Sequence, residues 1–251
     1  VKEYRAAAIF RGKKLDGRLR DSDPQKIGLK PLEVAPTEKN PTSEAEESAR
    51  LANTFIARAK EVLAGEAKAN IVMMRGFDIY DPLPNFCDLF KWRASAVAGY
   101  PMYKGVAKLA GMRVIEEGQS TVEEELDLVE RELPNTDFLF LHIKKTDSMG
   151  EDGNFPGKVE VIEHFDRLVP RLVDLKPNVL CITGDHSTPC SLASHSWHPV
   201  PICIAAKTAR VDGCQTFGET SFLTGGLGRI KSTDVIPLLL AHAERLMKYG
   251  A

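Results

Sequence analysis

The sequence lacks the marks of several protein classes. No apolar run comes near the ~20 residues that a membrane-spanning helix needs, and no signal-peptide pattern opens it. No membrane association is therefore expected. Neither sign of charge dominates. The 33 basic and 35 acidic side chains leave a net charge of −2, which argues against a nucleic-acid partner while allowing a local basic site. The five cysteines (Cys87, Cys181, Cys190, Cys203 and Cys214) form no CxxC pair, so neither a disulfide framework nor a zinc knuckle is expected. Reduced thiols fit a reducing compartment, and the cytoplasm is the expected location. Cys181 and Cys203 lie in apolar runs and are expected to pack as small hydrophobes. Internal repeats and low-complexity tracts are also missing.

What is present is ordinary for a globular enzyme: 251 residues, 43% apolar and 27% charged. That length sits near the upper limit of a single core, so one large domain, with or without a smaller excursion, is expected. Up to about residue 40, a short apolar strand (Ala6 to Phe10) is set among loops rich in Pro, Gly and charge. Ser43 and Glu46 then form a capping-box pattern. It opens a helix whose apolar face is Ala52, Phe55, Ile56, Ala59, Val62 and Leu63, ended by Gly65.

From Asn70 the pattern changes to strands alternating with helices. Strands are predicted at Asn70–Met74, Met112–Ile115, Asp137–Ile143, Asn178–Thr183 and Val200–Ala205. Helices are predicted around Tyr103–Gly111, over Thr121–Leu133, from Asn154 and in a final segment capped near Thr233. Pro170 is expected to kink or split the helix from Asn154. The alternation argues for an α/β fold, a mostly parallel sheet sandwiched by helices.

Chemistry gathers after these strands. Phe138–Ile143 is followed by Asp147 and Glu151, Val179–Thr183 by Asp185 and His186, and His195 lies just before the strand starting at Val200. In such sheets ligands bind beyond the carboxyl ends of the strands. Mixed carboxylates and imidazoles suit Mn or Zn better than Ca or Mg, and five such groups exceed one tetrahedral shell, pointing to a pair of ions. An isolated Asp-His pair after a strand is more often structural; convergence of three such loops on one edge brings ligation level with that reading.

These segments resemble a known family. Thr183-Gly-Asp-His-Ser-Thr-Pro189, then His195 and Pro199-Val-Pro201, is similar to the metal-binding segment of cofactor-independent phosphoglycerate mutases, archaeal-type branch, within the alkaline phosphatase superfamily. So are His142-Ile-Lys-Lys-Thr-Asp147, Gly153–Ile162, Tyr4–Gly12, the Asp21–Pro24 loop, Tyr103–Met112 and Gly225–Ile230; the likeness runs on to Lys248–Ala251. The resemblance implies an alkaline-phosphatase-like sheet over residues 69–251 and a remnant of an inserted substrate domain over residues 1–68. It implies two divalent ions, manganese or alternatively Mg, Zn or Co. Asp185 and His186 would serve one, and Asp147 and His195 the other.

The same resemblance implies interconversion of 3-phosphoglycerate and 2-phosphoglycerate, a small phosphorylated three-carbon acid, through a phosphoserine intermediate. Arg75 and Lys104 stand where basic substrate contacts are expected, with Arg11 and Asp23 as weaker candidates. For Asp23 the competing reading is an Asx-turn before Pro24. Two departures stand out. Glu151 occupies a place where the family has His, with Asp152 as a substitute ligand. No segment matches the family's metal-binding Asp or nucleophilic Ser, and the chain opens at Val1 without Met. The expectation is a C-terminal piece of a longer protein, inactive alone, since neither Ser148 nor Ser187 matches the nucleophile's motif.

Other readings remain: a phosphatase or phosphomutase of the same superfamily on another ester, or a non-catalytic metal-binding protein. Among the remaining histidines, His164 and His242 are expected to be solvated and His198 to pack or hydrogen-bond. For His142, a satisfied buried ring and a role in holding a ligand carboxylate are equally open. Trp92 and Trp197 are expected to pack, and Gly226-Leu-Gly228 to form a turn.

Overall fold

The computed structural model describes residues 6–117 and 121–246. Tyr4 and Arg5 of the opening motif, and the closing Lys248–Ala251, lie outside the described residues. The chain divides into two compact units, Val1–Leu83 and Pro84–Ala251.

In the first unit, strands β1 (Leu19–Arg20) and β2 (Ala35–Pro36) pair antiparallel. Helix α1 (Ser43–Val62) buries Ala49 and Ala52 in a cluster with Leu19 and Val34. Its cap is Thr42, one residue before the expected Ser43; the Thr42 side chain accepts from Ala45 N at 3.2 Å. The expected strand at Ala6–Phe10 is absent, and so is that at Asn70–Met74. Met74 is tied to a loop instead. Ser22, 1% exposed, gives its N–H to Met74 O at 2.8 Å, and its Oγ accepts from Met74 N at 2.7 Å. A single side-chain oxygen thus takes the donor that a neighbouring strand would have used.

The second unit holds a three-stranded parallel sheet in the order β4-β3-β5, formed by β3 (Ala94–Ala98), β4 (Arg113–Val114) and β5 (Phe138–His142). The central strand β3 reads Ala-Ser-Ala-Val-Ala and is wholly buried. Small side chains let elements approach it closely from both faces. The pleat sorts the layers. Val97, Leu139 and Leu141 point into one cluster with Leu126 and Val129 of α4 (Val122–Glu132) and Leu168 and Leu172 of α6 (Phe155–Asp174). Ala94 and Phe138 point the other way, to Trp92, α2 (Phe86–Phe90) and α8 (Val235–His242). The expected sandwich of helices around a parallel sheet is therefore present. Each fully buried Leu or Val contributes roughly 1.5–3 kcal/mol.

Helix α3 (Pro101–Leu109) connects β3 to β4, and the short α5 (Lys145–Glu151) follows β5. Pro170 neither splits nor ends α6. Strands β6 (Val179–Thr183) and β7 (Ile202–Ala206) form a separate antiparallel pair, a departure from a fully parallel order. Helix α7 (Glu219–Phe222) lies between β7 and α8. Cys203 is exposed rather than packed, whereas Cys181, half-buried on β6, has its thiol pushed up to about 11 by burial. Trp92 is buried and stacks on Phe138 at 4.6 Å; Trp197, by contrast, is 85% exposed. Gly228 takes a φ of +58° in a turn, as expected. Among the described residues, no helix is long and apolar enough to cross a membrane.

Candidate metal centre

The carboxyl ends of β3 and β5 lie on one sheet edge because the strands run parallel. After β5 the chain turns directly into α5, where a loop was expected, and Asp147 sits in its first turn. Glu151, four residues on, shares that helix face. Gly150 is buried against Thr188: a Cβ at this position would overlap the Thr188 carbonyl and come within 2.9 Å of its Cγ2. Glycine is what allows α5 to dock on the segment after β6.

That segment carries Asp185 and His186, and the antiparallel turn-back explains how His195 joins them. Because β7 runs against β6, with Thr183 opposite Ile202, the residues preceding β7 return to the carboxyl end of β6. A single bridge, Ser187 to Ser196, pinches the intervening loop, and Ser196 N donates to Ser187 O at 2.9 Å. The residues beside that bridge are His186 and His195, whose ring centroids lie 3.9 Å apart.

Asp147, His186 and His195 each present one donor atom within 4.8 Å of the others. His195 Nε2 lies 3.5 Å from Asp147 Oδ1 and 3.6 Å from Glu151 Oε1. His186 Nε2 lies 3.6 Å from Asp185 Oδ2. All five sequence-derived ligand candidates thus gather around the two rings. Asp152 caps α5 and takes no part in the cluster. An imidazole pair with adjoining carboxylates fits a divalent transition metal by donor type.

Asp147 and Asp185 are kept ionised. Burial works to raise the pKa of Asp147, but hydrogen bonds from Lys144 and from Thr188 Oγ1 (2.6 Å) outweigh it and hold the group below its ordinary range. Asp185 is likewise partly desolvated, yet lowered by the hydrogen bond from Tyr103 and by nearby His186. The Tyr103 hydroxyl donates to Asp185 Oδ2 at 2.9 Å, and its ring stacks on His142 at 3.3 Å. Burial and then that bond raise the phenol's pKa. His142 is pushed down to about 4 by burial and stays neutral, its Nδ1 buried without a hydrogen-bond partner among the described residues.

The substrate-contact candidates are divided between the units. In the first unit, Arg75 lies beside the Asp21–Pro24 loop, since Gly76 N donates to Asp21 Oδ1 at 2.9 Å. Asp23 Oδ1 accepts from Gln25 N at 2.8 Å, the Asx-turn alternative, and Arg11 is exposed. In the second unit, half-buried Lys104 follows Tyr103 on α3. His164 pairs with Glu123, His242 Nδ1 meets Thr208 Oγ1 at 2.9 Å, and His198 Nδ1 meets Ser196 Oγ at 2.8 Å. Sequence reasoning gave no role to Lys144, Gly150, Thr188 or Tyr103. Their signal was position alone: Lys144, Thr188 and Tyr103 lie inside quoted motifs, and Gly150 lies between two of them.

Residues 35–242 match the metalloenzyme superfamily. The whole chain is 48% identical over 250 residues to a probable 2,3-bisphosphoglycerate-independent phosphoglycerate mutase of Thermosipho africanus, of which it covers 61%. Among solved structures, the PH0037 protein of Pyrococcus horikoshii is similar with a TM-score of 0.75 and 34% identity, over 83% of this chain and 60% of that one. The cofactor-independent phosphoglycerate mutase of Thermoplasma acidophilum is similar with a TM-score of 0.61 and 25% identity, over 93% and 61%. The chain therefore spans about three fifths of the length of the curated relatives it matches.

Proposed function

The chain belongs to the metalloenzyme superfamily, and from that premise we propose that it carries the metal-binding part of a phosphoglycerate mutase interconverting 3-phosphoglycerate and 2-phosphoglycerate. The observation that supports this most is the meeting of Asp147, His186 and His195, delivered by three separate stretches of chain to within 4.8 Å of one another. In this reading Asp185 and His186 hold one divalent ion, while Asp147 and His195 hold a second, with Glu151 taking the place of its third ligand. Manganese is the first choice, with Mg, Zn or Co as alternatives.

Ions bound there would stabilise charge on the attacking and leaving oxygens of a phosphoryl transfer. The protein's own work is to keep Asp147 and Asp185 charged and oriented, through Lys144, Thr188 and Tyr103. Arg75 and Lys104 are assigned to the substrate's phosphate and carboxylate, with Arg11 and Asp23 in supporting roles. Residues 1–68 are assigned to the inserted substrate domain and the cytoplasm is the assigned location. The phosphoryl group passes through a Ser that has no counterpart in this sequence, so the 251 residues alone are expected to be inactive.

Glu151 keeps a phosphatase reading open, because a third carboxylate beside His195 lowers the charge of the site. An assay of 2-phosphoglycerate formation separates these readings. A chain extended to the length of its relatives should produce it, and the 251 residues alone should not. Release of inorganic phosphate without isomerisation would replace the mutase with a phosphatase.

A further inference from the structure

Thr188 is 4% exposed, and its hydroxyl meets two ligand candidates at once. Its Oγ1 lies 2.6 Å from Asp147 Oδ1 and 3.0 Å from His186 Nδ1. A hydroxyl has one proton to give and lone pairs to receive with. The Asp147 carboxylate can only accept, and an oxygen–oxygen contact of 2.6 Å without a proton between them is repulsive. The Thr188 proton is therefore committed to Asp147. What remains for His186 is a lone pair, so its Nδ1 must bring the hydrogen.

We propose that Thr188 is a positioning residue that fixes the tautomer of His186, placing the proton on Nδ1 and leaving the Nε2 lone pair as the only donor for a metal ion. Nε2 is the atom that faces Asp185 Oδ2 at 3.6 Å, so the same hydroxyl sorts the cluster into the pairs Asp185 with His186 and Asp147 with His195. One side chain thereby ties the α5 side of the site to the segment after β6.

Thr188 is itself held from behind. Its carbonyl accepts from Lys158 Nζ at 2.7 Å and lies against Gly150 of α5. Its position is thus set by backbone packing and does not depend on a bound ion. The tautomer is a property of the metal-free protein; its consequence for metal affinity rests on the proposed metal site.

Long-range proton–nitrogen NMR correlations of the metal-free full chain, recorded above the imidazole titration range, read the His186 tautomer directly. The expected result is a protonated Nδ1 and a bare Nε2. A protonated Nε2 in the unsubstituted protein overturns the proposal without any variant. Thr188→Val keeps the shape and removes both bonds, and should mix the tautomers and weaken Mn²⁺ binding by about 10–100-fold in calorimetric titration. Thr188→Ser restores the hydroxyl and should recover both readouts. Unchanged tautomer and affinity in Thr188→Val would contradict the assignment. Loss of the tautomer preference with mutase activity absent even in the extended chain would sink the proposed function and leave this inference standing.

Discussion

Two carboxylates of the second unit meet burial with opposite results. Glu125, on α4, is 7% exposed and is raised to about 7 by desolvation, which a hydrogen bond from the Gly99 backbone and distant Lys104 and Lys145 only partly offset. Asp147, on α5, is also desolvated but is lowered, because an ammonium and a hydroxyl donate directly to its two oxygens. Burial alone disables a carboxylate as a cation ligand. Direct donors preserve it, so the site is marked by Lys144 and Thr188 as much as by the acids they hold.

The comparison can be broken most severely at Asp147. Asp147→Asn keeps the shape and removes the charge, and Mn²⁺ affinity should fall by more than the 10–100-fold that outer partners carry. Calorimetry checks this, and an unchanged affinity would remove Asp147 from the site. Gly150→Ala should be next. The added methyl group overlaps the Thr188 carbonyl, and urea unfolding should register about 1–3 kcal/mol of destabilisation.

Glu125→Gln sharpens the other side of the comparison. Because the folded value lies above the ordinary 4.5, the unfolded chain releases its proton first as pH rises. Stability is therefore lost between about pH 4.5 and about 7. The amide removes that loss. The variant should match the wild type at low pH and exceed it by on the order of 2 kcal/mol above neutrality. Equal stability at both extremes would mean that the carboxyl is well solvated. The smallest effect is expected for Glu151→His, which replaces an oxygen donor beside His195 with nitrogen. Zn²⁺ or Mn²⁺ affinity should rise about tenfold, or 1.4 kcal/mol.

Much of this was legible in sequence where a periodic signal exists. Helices α1, α4 and α6 follow their apolar spacing, and β5 and β6 their unbroken apolar runs. The central strand was not legible. Ala-Ser-Ala-Val-Ala offers one β-branched side chain, and small residues are poor strand formers except where a buried strand must admit close neighbours. Helix α5 was hidden because Asp147-Ser-Met-Gly reads as a turn; its helicity is secured by docking through Gly150. The ligand residues and their convergence beyond the strand ends could be read from sequence, but the route that brings His195 to His186 could not. The meeting of His186 with His195 depends on the direction of β7 and on the Ser187–Ser196 bridge, and neither leaves a pattern in an apolar run.

The central claim is that these residues hold divalent metal, and anomalous diffraction from crystals soaked in Mn²⁺ tests it most directly. The account predicts manganese peaks between the His186 and His195 rings and the carboxylates of Asp147 and Asp185, with His186 ligating through Nε2. Crystals that take up manganese only elsewhere, or not at all in this cluster, would contradict it.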